Sequence, residues 1–342
     1  MSVDDFGKAN TGLGQCKSIQ TLDVFGINIS NKGVQMIIEN LPDLKIFICD
    51  YQIQVLAELL RGPSPKNLRC VPNLTSLHNN GFGRLTSICQ RGDIELVAAN
   101  CSSVNKVHIH GRYIANGPIA TDATLLELVK LKRLCEFRIQ GVFSENELTF
   151  SGGILPLLKH FGNSLTSLCF ANIYTIINVR AIVEHCPKLQ MLTISNTQIH
   201  SSERLEDEPN PLKRKKTAPV LKNLKTLKLT YCRDLTSKDL DLLHASPTLE
   251  KLSLRTLNRL SIDNSLRKAA NLHQFRHLER LKFCGVDSSV AKAGIDVLMT
   301  DGNCLKVIVI RLCRSLKVAD VDEWKRVARE KNWDVVFQCI DL

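Results

Sequence analysis

One spacing of apolar residues recurs along this chain and constrains its fold more than any other feature. The order is L-x-x-L-x-L, which is found at Leu224, Leu227 and Leu229 and returns 25 residues later, from Leu249. Residues two apart on a strand point to the same side, so Leu227 and Leu229 are predicted to face a core from a short strand. The intervening residues would then point the other way.

A helix is predicted between these two strands. Leu240 and Leu243 lie at helical spacing, and Thr236 or Ser237 is expected to cap the helix, with Asp239 in its first turn. The unit is therefore strand, turn, helix. A single unit of this kind cannot bury both its strand and its helix, so it must stack on copies of itself.

Copies of the unit follow one another along the whole chain. Their first apolar strand positions recur at intervals of 24 to 35 residues, and recurrence on this scale predicts a repeat array. We expect an α/β leucine-rich-repeat solenoid, a curved horseshoe with parallel strands on its concave face and helices on its convex face. The eleven positions are Ile19, Leu44, Leu74, Val104, Leu134, Leu165, Leu189, Leu224, Leu249, Leu278 and Leu305.

The repeats divide the chain into three predicted regions. Residues 1–15 form a short polar segment, residues 16–316 form the array, and residues 317–342 form a carboxyl-terminal cap with a helix at Asp320–Glu330 and a strand at Val335–Ile340. Trp324 and Trp333 are expected to cover the final repeat, although an exposed tryptophan could instead bind a partner. A charged insertion at residues 198–220 has almost no apolar content and predicts a mobile loop.

The cysteine pattern indicates a reducing compartment. The 13 cysteines are odd in number, form no C-x-x-C pair and are spread along the repeats, which favours small buried thiols over disulfides or structural zinc. The amino terminus has no apolar signal region, and no apolar run is long enough to span a membrane. We therefore expect a soluble intracellular protein, cytoplasmic or nuclear or both. The insertion's basic run has the form of a nuclear-import signal, the alternative being a solvated loop; it comprises Lys213, Arg214, Lys215 and Lys216.

No motif predicts catalysis or a cofactor. Sequences of the types G-x-S-x-G, H-E-x-x-H and the P-loop are missing. Gly81-Phe-Gly83 lacks the context of a nucleotide site and is interpreted as a turn. His108 and His110 share one face of a strand, but no third metal ligand is placed beside them. We expect a protein that is not an enzyme and that holds neither a cofactor nor a metal.

The candidate binding residues are basic side chains between the buried strand leucines. The formal net charge is +11, and six of the twelve open positions on the four strands that begin at residues 226, 251, 280 and 307 are Lys or Arg. Like charges on neighbouring strands repel, which favours an acidic or phosphorylated protein ligand. A solvated face that resists edge pairing is the alternative. The candidates are Lys228, Lys251, Arg255, Arg280, Lys282 and Arg311, with Lys106 and Arg138 on earlier strands, where Asp23, Asp50 and Glu136 oppose them.

The repeat at Leu224 to Leu243, with Cys232 at its turn, resembles the cysteine-containing leucine-rich repeats of F-box/LRR proteins. The lead-ins Cys101-Ser-Ser-Val104 and Cys186-Pro-Lys-Leu189 share this likeness. The resemblance implies a substrate receptor of an SCF-type ubiquitin ligase whose inner face or carboxyl end holds the substrate. The sequence contains no F-box.

Two other classes remain open. Many repeats are near 30 residues, longer than the family's usual 26, so the alternative is a scaffold or inhibitor of the ribonuclease-inhibitor or NLR type with no ubiquitin role. Nucleic-acid binding is disfavoured because the basic positions lack the interleaved aromatics that stack on bases. A steep salt dependence of binding to random oligonucleotides would favour it. No membrane partner is expected.

Overall fold

The computed structural model describes most of the chain and divides it into two units. Unit 1 comprises Met1–Leu165 and Ile173–Thr175, and unit 2 comprises Thr166–Asn172 and Ile176–Leu342. The residues described are 16–27, 29–62, 71–80, 92–110, 120–141, 148–200, 220–257, 262–286, 292–299, 304–313 and 315–340.

Unit 1 alternates strands and helices. Strands β1 and β2 pair in parallel, and β3, β4 and β5 pair in parallel in that order. The strands are β1 (Thr21–Asp23), β2 (Ile46–Ile48), β3 (Ser76–Asn80), β4 (Lys106–His110) and β5 (Glu136–Gln140). The α-helices are α1 (Asn31–Asn40), α2 (Gln52–Arg61), α3 (Asp93–Asn100), α4 (Asp122–Glu127) and α5 (Leu155–Phe161).

Unit 2 repeats the same alternation. Its strands pair in parallel in chain order from β6 to β12. The strands are β6 (Ser167–Ala171), β7 (Met191–Gln198), β8 (Thr226–Arg233), β9 (Lys251–Arg255), β10 (Arg280–Cys284), β11 (Val307–Arg311) and β12 (Val336–Ile340). The helices are α6 (Val179–His185), α7 (Ser237–His244), α8 (Ile262–Asn271), α9 (Lys292–Leu298) and α10 (Val318–Glu330).

The core consists of the predicted repeat positions. Ten of the eleven first apolar positions are buried; Ile19, in the first repeat, is half-buried. Within β9, Leu252 and Leu254 are 1% and 0% exposed, whereas Lys251 and Arg255 on the other side are exposed. The side of each strand that turns away from the core is called its open face below. The leucine-rich-repeat solenoid predicted from the spacing is confirmed.

The chain leaves several strands through the same backbone turn. The residue after the strand has a left-handed conformation in β6, β9, β10 and β11, with φ of 53° at Asn172, 50° at Thr256, 62° at Gly285 and 53° at Leu312. The amide of Thr256 donates to the Cys284 carbonyl at 2.8 Å, and that of Gly285 to the Arg311 carbonyl at 2.9 Å. The turns at Thr256 and Gly285 thus each extend the strand ladder by one bond. The left-handed conformation is costly for Thr256 and Leu312.

The helices predicted after Thr236 and at Asp320–Glu330 are present as α7 and α10. Thr236 caps α7: its Oγ1 accepts a bond from the Asp239 amide, and Asp239 Oδ2 accepts one from the Thr236 amide. Helix α10 begins at Val318, two residues before the predicted start. Trp324 is 2% exposed, and its Nε1 donates to Asp296 Oδ1 at 2.7 Å. Trp333 is half-buried, with Lys331 Nζ 4.7 Å from its ring.

Some predictions lie on residues that the structure does not describe. Residues 1–15, the Gly81-Phe-Gly83 segment and most of the 198–220 insertion, including Lys213 to Lys216, lie outside the described residues. The array predicted for residues 16–316 crosses both units, so its division from the terminal segments stays a prediction. None of the described helices is long and apolar enough to cross a lipid bilayer.

Candidate functional site

Six basic side chains lie on the open faces of strands β8 to β11 and are called the basic face here. Lys228, Lys251, Arg255 and Arg280 are exposed, and Lys282 and Arg311 are half-buried. Each alternates with buried apolar residues, as the strand period requires. The positions predicted from the sequence therefore place their side chains on one side of one sheet.

Strand register arranges the basic face in three rows across the strands. Parallel pairing aligns Lys251 with Arg280, so these two cations are neighbours on adjacent strands, whose backbones lie about 4.8 Å apart. In the other rows an uncharged residue separates the cations: Ser253 lies between Lys228 and Lys282, and Cys284 lies between Arg255 and Arg311. Across the basic face, cations therefore alternate with uncharged residues in two of the three rows.

The cations of the basic face differ in their ion pairing from other lysines of the same repeats. None of its six side chains forms an ion pair within 4.0 Å in the part of the chain that the structure describes. Compensation does occur just before the strands begin, where Lys225 pairs with Glu250 at 2.9 Å and Lys306 with Glu279 at 2.7 Å. The same repeats thus neutralise one row of charges and leave the face positive.

Two details qualify individual members of the basic face. The hydrogen bond from Lys306 lowers the pKa of Glu279, and the charge of Lys251 adds a smaller effect, so Lys251 is partly balanced. The Nε of Arg311 is buried and has no hydrogen-bond partner among the described residues. A buried donor without an acceptor costs about 1 to 3 kcal/mol. An incoming anion could remove that cost.

The basic candidates of unit 1 have different surroundings. Lys106 Nζ lies 3.7 Å from Glu136 Oε2, and His108 Nε2 lies 2.8 Å from Glu136 Oε1. Arg138, the second basic candidate, is exposed two residues along β5. Lys106 therefore pairs with a carboxylate on the adjacent strand, which sets it apart from the cations of the basic face.

A histidine pair lies beside this carboxylate. His78 and His108 occupy matched positions on β3 and β4, with ring centroids 4.6 Å apart and nearly perpendicular planes. They line a depression of about 230 Å³ that also includes Asp23, Phe25 and Arg138. Sequence reasoning considered His108 with His110 and missed His78. The available signal was the shared strand position of His78, His108 and Arg138 in consecutive repeats.

The surroundings of the histidine pair shift two pKa values. Burial lowers the pKa of His78 to about 4; the His108 and Arg138 charges add to this shift, and Asp23 and Glu136 oppose it. The hydrogen bond from His108 holds the pKa of Glu136 below its usual value. At neutral pH His78 is therefore an uncharged ring beside an ionised carboxylate. The described residues contain no group of three or more His, Cys, Asp or Glu arranged to hold a metal ion.

Several of the described cysteines belong to the core. Cys49, Cys101, Cys186, Cys232, Cys284 and Cys313 are buried. Burial raises the pKa of Cys49, Cys186 and Cys232 to about 12. These three thiols are therefore protonated at neutral pH and fill space in the core.

Comparison with known proteins identifies the fold. No protein-family model and no curated protein matches the chain. Among solved structures, the chain is similar to Rad7 in the yeast Rad7–Elc1 complex, with 16% identity, a TM-score of 0.55 and coverage of 100% of this chain and 77% of that one. A Listeria monocytogenes internalin has 13% identity, a TM-score of 0.49 and coverage of 99% and 94%. Mouse RP105 with MD-1 has 15% identity, a TM-score of 0.44 and coverage of 94% and 47%. The Rad7 match supports the leucine-rich-repeat fold.

Proposed function

We propose that this chain is a non-catalytic protein-binding solenoid that captures an acidic or phosphorylated partner segment on the basic face. The observation that carries the proposal is a set of six cations that form no ion pair with any described residue, whereas Lys225 and Lys306, each one residue before a strand of the same sheet, are paired with glutamates. Exposed like charges on adjacent strands destabilise a sheet, and an anionic partner would remove that repulsion. Arginine and lysine clusters are a recurrent means of binding acidic and phosphorylated motifs.

We propose further that this binding serves substrate recognition in SCF-type ubiquitin ligation, in the cytoplasm or nucleus. The support is the likeness of the Cys101, Cys186 and Cys232 repeats to those of F-box/LRR proteins. Rad7, which shares this fold, is found in a complex with a second protein, Elc1. On this proposal the repeats hold the substrate while another segment or subunit contacts the ligase adaptor.

A scaffold or inhibitor of the ribonuclease-inhibitor or NLR type is the second candidate. The spacing between repeats favours it, since the three steps from Leu44 to Leu134 are each 30 residues. Such a protein would use the same basic face without any ligase component.

Charge reversal on the basic face tests the proposal. The tagged full chain and its Arg255→Glu/Arg280→Glu variant would be purified from cells under proteasome inhibition, and the bound proteins quantified by mass spectrometry. A matched control is Arg267→Glu/Arg276→Glu, which makes the same charge change at exposed residues in α8 and in the segment after it. We expect partners of the wild-type chain to be retained by the control and lost from the face variant, while both variants melt at similar temperatures.

The composition of the recovered complex separates the two candidates. An adaptor and a cullin among the bound proteins would support the ligase role, and a stable partner without them would support the scaffold. Phosphatase treatment of the lysate would distinguish a phosphorylated partner from an Asp/Glu-rich one. If the face variant kept every partner, binding through the basic face would be wrong.

A further inference from the structure

The open face changes character between β10 and β11. In the first row, register aligns Arg280 with Val307 and then with Val336; in the second, it aligns Lys282 with Val309 and then with Gln338. Val307, Val309 and Val336 are called the apolar strip here. Strands β8, β9 and β10 carry charged or polar residues in both rows, so the three valines mark a change of character at β11.

The apolar strip is available to a partner at its outer end. Val336 is 50% exposed and Val307 is half-buried, whereas Val309 is 7% exposed and forms the floor. Two residues beyond Val309 on the same strand lies Arg311, whose Nε is buried without an acceptor among the described residues. A buried donor without an acceptor and an apolar surface therefore lie side by side on β11.

We infer that the partner segment combines an acidic or phosphorylated residue with an apolar side chain, the acid meeting the basic face and the apolar side chain covering the apolar strip. This inference rests on the proposed function and names the partner's chemistry. Two strand steps separate Arg280 from Val336, which is about 10 Å. An extended peptide advances about 3.3 Å per residue, so the acid and the apolar residue lie about three positions apart.

Charge and apolarity have separate effects in this arrangement. The cations attract any acidic segment, so they discriminate little between acidic segments of the same net charge. Burial of one aliphatic side chain against Val307 and Val336 adds a contribution that depends on its position. The apolar strip is therefore the element of the face that selects among acidic partners.

Three labelled peptides of equal length test the inference by fluorescence anisotropy against the full chain. The first has two glutamates followed three positions later by a leucine, the second replaces the leucine with serine, and the third replaces the glutamates with glutamine. We expect the first to bind about tenfold more tightly than the second, and the third to bind weakest. Val307→Thr/Val336→Thr keeps the β-branched shape and removes the tenfold preference.

Matched controls make each outcome decisive. Met191→Thr changes an exposed apolar residue of the same row on β7 and is expected to leave the preference unchanged. Arg267→Glu/Arg276→Glu checks that binding does not follow net charge alone. Equal affinity for the first two peptides would overturn the apolar strip and leave the basic face intact. No binding of either, or equal binding of the first and third, would overturn the proposed function and this inference with it.

Discussion

The open faces of the two units are built on the same repeat and handle charge in opposite ways. In unit 1, Lys106 and His108 surround Glu136 on the neighbouring strand. In unit 2, the basic face has no ion pair among the described residues. The strand geometry is common to both, so the difference lies in which residue types occupy the open positions. The repeat fixes where side chains point, and the open positions are free to specify a ligand.

The largest expected effect compares how much the buried leucines beneath the two open faces contribute to stability. Leu252 is 1% exposed and lies beneath the basic face. The change Leu252→Ala should lower the free energy of unfolding by about 2 to 5 kcal/mol, because it leaves a cavity. Leu22 on β1 is only half-buried, so Leu22→Ala should cost about 1 kcal/mol. Urea unfolding of both variants measures the difference. A stability loss for Leu252→Ala no larger than that for Leu22→Ala would contradict the core assignment.

The next effect tests a contact between an aspartate and a glycine that occurs in both units. An added Cβ at Gly152 would lie 2.1 Å from Asp122 Oδ2, and one at Gly294 would lie 2.1 Å from Asp263 Oδ1. In each unit a carboxylate at the start of one helix thus lies against a glycine of the next repeat. Gly152→Ala and Gly294→Ala are each expected to cost about 1 to 3 kcal/mol. Thermal melts of both variants measure the loss of stability. If only one of the two variants melted at a lower temperature than the wild type, the aspartate–glycine contact would not have the same role in both units.

Acid pH should destabilise the protein through His78 of the histidine pair in unit 1. His78 has a folded pKa near 4, below its ordinary 6.5, so the unfolded chain takes up the proton first as pH falls. The resulting loss of stability begins below about pH 6.5, continues towards pH 4 and is on the order of 1 to 2 kcal/mol after solvent screening. Unfolding free energies of wild type and His78→Gln between pH 7 and 4 measure it. If the unfolding free energies of the two proteins changed in parallel with pH, the contribution of His78 would be contradicted.

The smallest effect concerns the ion pairs that precede the strands of unit 2. Lys225 and Glu250 are partly exposed, so Lys225→Met should change stability by less than about 1 kcal/mol. It should also leave partner binding unchanged, since Lys225 is outside the basic face. A large loss of binding would mean that the boundary of the face is drawn too narrowly.

The sequence was informative where one short pattern decides the structure. Leucine spacing located the strands, and Thr236 with Asp239 located a helix start, because both depend on residues close in sequence. The contact between His78 and His108 joins residues 30 apart, and its geometry follows from strand register, which no local pattern encodes. The boundary between Lys282 and Val309 likewise becomes visible only when β10 and β11 are aligned.

Lysine footprinting of the captured complex tests the central claim most directly. The free chain and the complex would be acetylated under the same conditions, and each lysine quantified by mass spectrometry. Lys228, Lys251 and Lys282 should be protected in the complex, while Lys106, which pairs with Glu136, and Lys225, which pairs with Glu250, should react as in the free chain. A bound partner that leaves the three lysines of the basic face fully reactive would contradict the account.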